Sequence, residues 1–80
     1  MTNIEKYREA FISTFNLKEI DPSELEYQSI NEWDSVGHMG LMAELEDSFD
    51  IFLETDDIID FSSFKKGIDI MKKYDVNIMD

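Results

Sequence analysis

The clearest periodicity lies at the start of the chain. Ile4, Tyr7, Phe11, Ile12 and Phe15 recur at helical spacing and form one apolar stripe, which predicts a helix over about 3–15. Thr2 followed by Glu5 fits a capping box, and Asn16 is placed to stop the helix. From Leu17 to Asp34 the pattern dissolves into a long connection. Within it, Asp21-Pro22-Ser23-Glu24 suits a single short turn, and Leu25, Tyr27 and Ile30 are candidate anchors into a core. Connections of this length are functional or mobile. Helical spacing returns over about 35–49, with Leu41, Met42, Leu45 and Phe49 facing inward and Glu44, Glu46, Asp47 and Asp50 facing solvent. Gly37 and Gly40 weaken the head of this helix, which implies either a need for room or mobility or a close crossing of two helices. After the apolar connector Ile51-Phe52-Leu53, Thr55 is expected to cap a brief helix over about 56–60, whose acidic residues suit the positive end of its dipole. Ser62 or Ser63 then opens a last helix over about 63–74, with Phe64, Ile68 and Met71 inward and Lys72 and Lys73 in the final turn. The tail from Asp75 is expected to fray. No strand signal competes, so the expected class is all-α: a single domain, residues 1–80, folded as a small bundle of three main helices and one short one with a long first loop.

Composition narrows the function more than the fold. Hydrophobic residues make up 42% of the 80, enough for a compact core despite the charge. Nineteen acidic against seven basic side chains leave a net charge of −12. Such a surface repels nucleic-acid phosphates and anionic membranes, and it suits either solubility alone or docking onto basic patches of enzymes. With no cysteine there is no disulfide, thiol nucleophile or cysteine metal site. The start lacks a basic segment followed by an apolar run, and no apolar stretch approaches the roughly 18 residues of a spanning helix. The cytoplasm is the expected compartment, without stable membrane insertion.

Candidate chemistry is sparse. The acidic residues from Asp50 to Asp60 lack the order of a calcium loop and read as a solvated face. There is no glycine-rich phosphate loop, and the single histidine, His38, cannot build a histidine metal site alone. No nucleophile–base pair converges, and the chain is expected not to be an enzyme. What remains is Asp34-Ser35-Val36, where the long loop meets a helix. As an isolated pair, Asp and Ser at a helix start mean capping. A hydroxyl that receives a bulky prosthetic group must be exposed where an enzyme can grip the backbone on both sides, and Ser35 has that expected location.

Here the chain resembles the acyl carrier proteins, a family that includes peptidyl and D-alanyl carriers. The resemblance runs without a gap from Asp34 to Leu53 and comprises Asp34-Ser35-Val36, Met39, Leu41-Met42, Leu45-Glu46-Asp47, Phe49, Ile51 and Leu53, with a looser likeness over most of the chain. It implies a four-helix bundle in which a phosphopantetheinyl transferase attaches a 4'-phosphopantetheine arm from coenzyme A to Ser35, with magnesium belonging to the transferase. Cargo then travels as a thioester on the arm, whose sulfur the chain itself does not supply. By position, Asp34, Val36, Met39, Glu46 and Asp47 would carry partner recognition, with core packing the alternative for Met39. An acyl chain held within the bundle would meet Met42, Leu45, Ile58, Ile59 and Phe64, unless those residues are simply core or Phe52 and Phe61 fill the space.

Members serving general fatty-acid synthesis place acidic residues just after the serine, where this chain has Gly37, His38 and Gly40. Trp33 before Asp34 is also more like specialised stand-alone carriers. His38 either senses a partner's charge near neutral pH or is a plain helix-surface residue. The resemblance therefore implies a dedicated acyl or aminoacyl carrier that meets the transferase, a loading ligase or acyltransferase, and a downstream acyl-consuming enzyme. Alternatives are a housekeeping fatty-acid-synthesis carrier and an unmodified acidic helical adaptor. A monomer is the family's expectation, with an exposed Trp33 as the feature that would drive weak association.

Overall fold

The computed structural model describes residues 1–79 as an all-helical bundle of four helices. Helix α1 spans Asn3–Phe15 and opens with the capping box: Glu5 N–H donates to Thr2 Oγ1 at 3.3 Å, and Thr2 N–H donates to Glu5 Oε1 at 2.9 Å. Asn16, left-handed at φ 54°, ends it. A single tight turn follows at Pro22–Glu24, with the Asp21 carboxylate accepting from Ser23 N–H.

Helix α2 spans Ser35–Phe49. Asp34 caps it through Oδ1, which accepts from Gly37 N–H at 2.8 Å, and Asp50 ends it at φ 53°. The glycine at 37 answers to close approach. A Cβ there would lie 2.0 Å from the Glu32 carbonyl oxygen and 3.2 Å from the Phe15 ring. The head of α2 thus packs on its own preceding loop. Helix α3 (Thr55–Asp60) begins one residue earlier than its acidic pattern implies. Thr55 lies inside the helix, and Glu54 holds the capping position without a side-chain hydrogen bond, so Thr55 is not the cap. Helix α4 (Phe64–Lys72) is capped by Ser63, whose hydroxyl accepts from Lys66 N–H at 2.9 Å. It is shorter than the periodicity suggests, because turns take over at Lys73 and Tyr74.

An aromatic stack forms the centre of the core. Phe11 sits 4.9 Å from Phe64 and 5.5 Å from Trp33, and Phe15 stacks on Trp33 at 5.3 Å. Tyr7 joins it fully buried, its hydroxyl donating to the Phe64 carbonyl, and burial pushes its ionisation well above the ordinary tyrosine value. Trp33 is completely buried, which corrects the expectation of an exposed association site. Over residues 75–79 the expected fraying is not seen: Ile78 is fully buried, and Asn3 Nδ2 donates to the Asn77 carbonyl, while the last position of that expectation lies outside the described residues. Ile78 belongs to the same buried apolar cluster as Tyr7, Phe11 and Met71.

The long loop is pinned at its middle. Tyr27 N–H donates to the Ser62 carbonyl at 2.8 Å, and Phe64 N–H donates to the Leu25 carbonyl at 2.9 Å. This isolated antiparallel bridge between Glu26 and Ser63 fastens the loop to the α3–α4 junction. Among the described residues no helix is long and apolar enough to cross a membrane.

Candidate functional site

Ser35 is the first residue of α2 and is exposed. It stands at the rim of an apolar cleft of about 370 Å³. Ser35, His38 and Met39 line the cleft from α2, Ile58 and Ile59 from α3, Phe61 and Ser62 from the junction after it, and Tyr27 from the pinned loop. A volume of this size lies at the low end of small-molecule pockets, and the lining suits an apolar group. The Asp34 carboxylate is turned into its capping bond, so the hydroxyl of Ser35 stands beside the positive end of the α2 dipole.

The residues expected to line an acyl chain divide into two sets. Ile58 and Ile59 lie on the cleft. Met42, Leu45 and Phe64 do not; they are buried in the core cluster, Phe64 within the aromatic stack itself. Phe52 does not fill the cleft either, being 88% exposed on the connector after α2. Phe61, at 1% exposure, supplies part of the wall.

The residues expected to carry recognition are spread along α2. Val36 is 79% exposed and Met39 54%, so Met39 is not packed into the core. Asp47 is exposed. Glu46 is half-buried, and its Oε2 accepts from Leu53 N–H at 2.8 Å. That carboxylate fastens the connector after α2 and is not a freely solvated charge.

His38 is the largest departure from sequence expectation. It is no plain surface residue: Nδ1 accepts from the Trp33 indole N–H at 2.9 Å, and Nε2 lies 2.7 Å from the Ile58 carbonyl oxygen. An indole nitrogen only donates, so Nδ1 bears the lone pair and Nε2 carries the proton, which it gives to Ile58. The imidazole stacks on Trp33 at 6.2 Å and meets Tyr27 edge-on at 5.4 Å. With both nitrogens engaged, it offers no free base to Ser35. Its spacing three residues after Ser35 placed both on one helical face. Tyr27, expected as an anchor into the core, is instead 38% exposed on the cleft wall, because the backbone bond to Ser62 holds it there.

The outer side of α3 is clamped separately. Asp57 is buried, with its side chain 7% exposed; its Oδ1 accepts from Lys73 Nζ at 2.8 Å, and Oδ2 accepts from the Tyr74 hydroxyl. Glu54 N–H donates to that same hydroxyl at 2.9 Å. The Lys73 ammonium, then the Tyr74 hydroxyl, hold the Asp57 carboxyl below its ordinary range. Burial, followed by the hydrogen bond to Asp57, pushes Tyr74 upward, and the Asp57 carboxylate raises Lys73. Asp57 is thus the exception to the expected solvated acidic face. Among the described residues, no three His, Asp or Glu side chains come together as a metal-binding group.

Comparison with protein-family models, with curated proteins and with solved structures finds no match to this chain. The site therefore stands on its geometry, an exposed hydroxyl at a helix head with an apolar cleft beginning beside it, on a chain of net charge −12.

Proposed function

We propose that this protein is a carrier whose Ser35 bears a 4'-phosphopantetheine arm and presents thioester-linked acyl or aminoacyl groups to biosynthetic enzymes, itself catalysing nothing. The observation that carries the proposal is the exposed Ser35 at the head of α2, on the rim of the apolar cleft. The site fits the group in three respects. The hydroxyl is accessible to a transferase, a phosphodiester there would be favoured by the α2 dipole, and an apolar cargo has a cleft within the arm's reach. In the attachment step the serine oxygen forms the new bond to phosphorus, coenzyme A loses its nucleotide portion, and the serine proton passes to a base on the transferase. When bound, the arm supplies the thiol that this cysteine-free chain lacks.

Partner contact falls to exposed Val36 and Met39 beside Ser35, with Asp47 further along α2 adding charge that steers basic partners. Weak, fast, charge-guided contacts suit a shuttle that must leave each partner. A specialised pathway is favoured over housekeeping fatty-acid synthesis by the turn after Ser35, where Gly37, His38 and Gly40 are committed to packing against the loop and α3 or carry no charge.

Intact mass before and after incubation with coenzyme A and a broad-specificity phosphopantetheinyl transferase tests the proposal. A gain of one phosphopantetheine unit that Ser35→Ala lacks is the expected result. An unchanged mass with several active transferases, starting from unmodified protein, would overturn it in favour of an unmodified adaptor.

A further inference from the structure

A six-residue helix does not hold its shape alone, because too few hydrogen bonds offset its nucleation cost. Helix α3 also lacks a side-chain cap at Glu54. It nevertheless forms one wall of the cleft through Ile58 and Ile59. Its other side is fixed to the turn after α4 by Asp57, Lys73 and Tyr74. On the cleft side, the Ile58 carbonyl belongs to the last turn, where helical carbonyls lack partners within the helix. The Phe61 N–H reaches it only at 3.4 Å, whereas the His38 Nε2 proton reaches it at 2.7 Å.

We infer that His38 is a positioning residue that sets the width of the cleft, acting as a strut between buried Trp33 and the carboxyl end of α3. One end of the strut rests on the Trp33 indole, which the aromatic core immobilises. The other end completes the last turn of α3. Ser35 and His38 share α2, so the strut fixes the distance between the attachment point and the opposite wall. A preformed wall binds an apolar group more tightly than one that must be ordered on binding. The strut is a property of the unmodified protein; only the identity of what the cleft holds rests on the carrier reading.

The test uses unmodified protein, His38→Phe and His38→Gln. Phenylalanine keeps a ring between Trp33 and Tyr27 but makes neither hydrogen bond. Glutamine offers an acceptor and a donor again. Amide hydrogen exchange in α3 should quicken by about 5- to 150-fold in His38→Phe, as expected for losing two ordinary hydrogen bonds, and by more than the exchange in α1, which reports global opening. The uncharged fluorophore N-phenyl-1-naphthylamine should bind the wild type, bind His38→Phe several-fold more weakly, and recover in His38→Gln. Ile59→Ser should weaken the probe while leaving the Trp33 indole signal in place, which locates the probe in the cleft. Equal acceleration of α1 and α3, unchanged α3 exchange, no rescue by glutamine, or no probe binding to the wild type would each overturn the strut. None of these results depends on whether Ser35 accepts an arm, so the two proposals fail separately.

Discussion

Replacing each glycine of α2 by alanine should change stability in opposite directions. In a helix, alanine is favoured over glycine by about 1 kcal/mol. At Gly40 that gain is available, since a Cβ would lie 3.6 Å from Thr14 Cγ2, an ordinary contact. Gly40→Ala should therefore stabilise by about 0.5–1 kcal/mol. At Gly37 the new carbon would fall 2.0 Å from the Glu32 carbonyl oxygen, a backbone atom that cannot rotate away, and 3.2 Å from the Phe15 ring. Overpacking costs about 1–3 kcal/mol, and a required backbone shift places this site in the upper half of that range. Less the propensity gain, Gly37→Ala should lose about 1–2 kcal/mol. For a domain of this size each kcal/mol moves the Tm by about 4–8 °C, so the two variants should separate clearly in thermal and urea unfolding. The reasoning is refuted if both substitutions stabilise, or if Gly40→Ala is the more damaging. The displaced segment leads directly into Trp33, so Gly37→Ala should also disturb the indole N–H bond to His38, whereas Gly40→Ala should leave it intact.

Two further outcomes follow from the outer clamp and the tail. The Asp57 carboxyl has its folded value held below the ordinary 3.8, so its contribution is complete above 3.8 and is lost as pH falls through the lower, folded value. Asp57→Asn should lower the urea midpoint at pH 7, and the gap to wild type should close toward pH 3 and below; a gap that widens in acid would contradict the ion pair. Ile78→Ala should cost about 2–4 kcal/mol, because the side chain is fully buried; a loss under about 0.5 kcal/mol in urea unfolding would mean that the tail frays in solution.

Much of the fold was legible because it is written in local periodicity. The stripe of α1, the capping box at Thr2 and Glu5, the stop at Asn16 and the extent of α2 all depend on residues within a few positions of one another. Ser35 at the head of a helix followed from the same signals. The misplaced features depend on distant partners. Trp33 is buried because Phe11 and Phe15 of α1 close over it, and nothing around position 33 states that. Asp57 lies among acidic neighbours and differs from them only in meeting Lys73 and Tyr74. The cleft lining was half legible. Helical spacing marks Met42, Leu45, Ile58 and Ile59 alike as apolar, and only the packing of whole elements separates core from cleft.

The bridge between the first loop and the α3–α4 junction has a mechanical consequence. Tyr27 hangs from Ser62 by its backbone, so it belongs to the same leaf of the molecule as Ile58, Ile59 and Phe61, although about thirty residues separate it from them along the chain. The opposite leaf is the head of α2 with Ser35, His38 and Met39. The cleft is the seam between the two. Because Gln28 N–H also donates to the Trp33 carbonyl at 2.9 Å, the loop bearing Tyr27 is tied to both leaves, and with His38 it forms a second stitch across the seam.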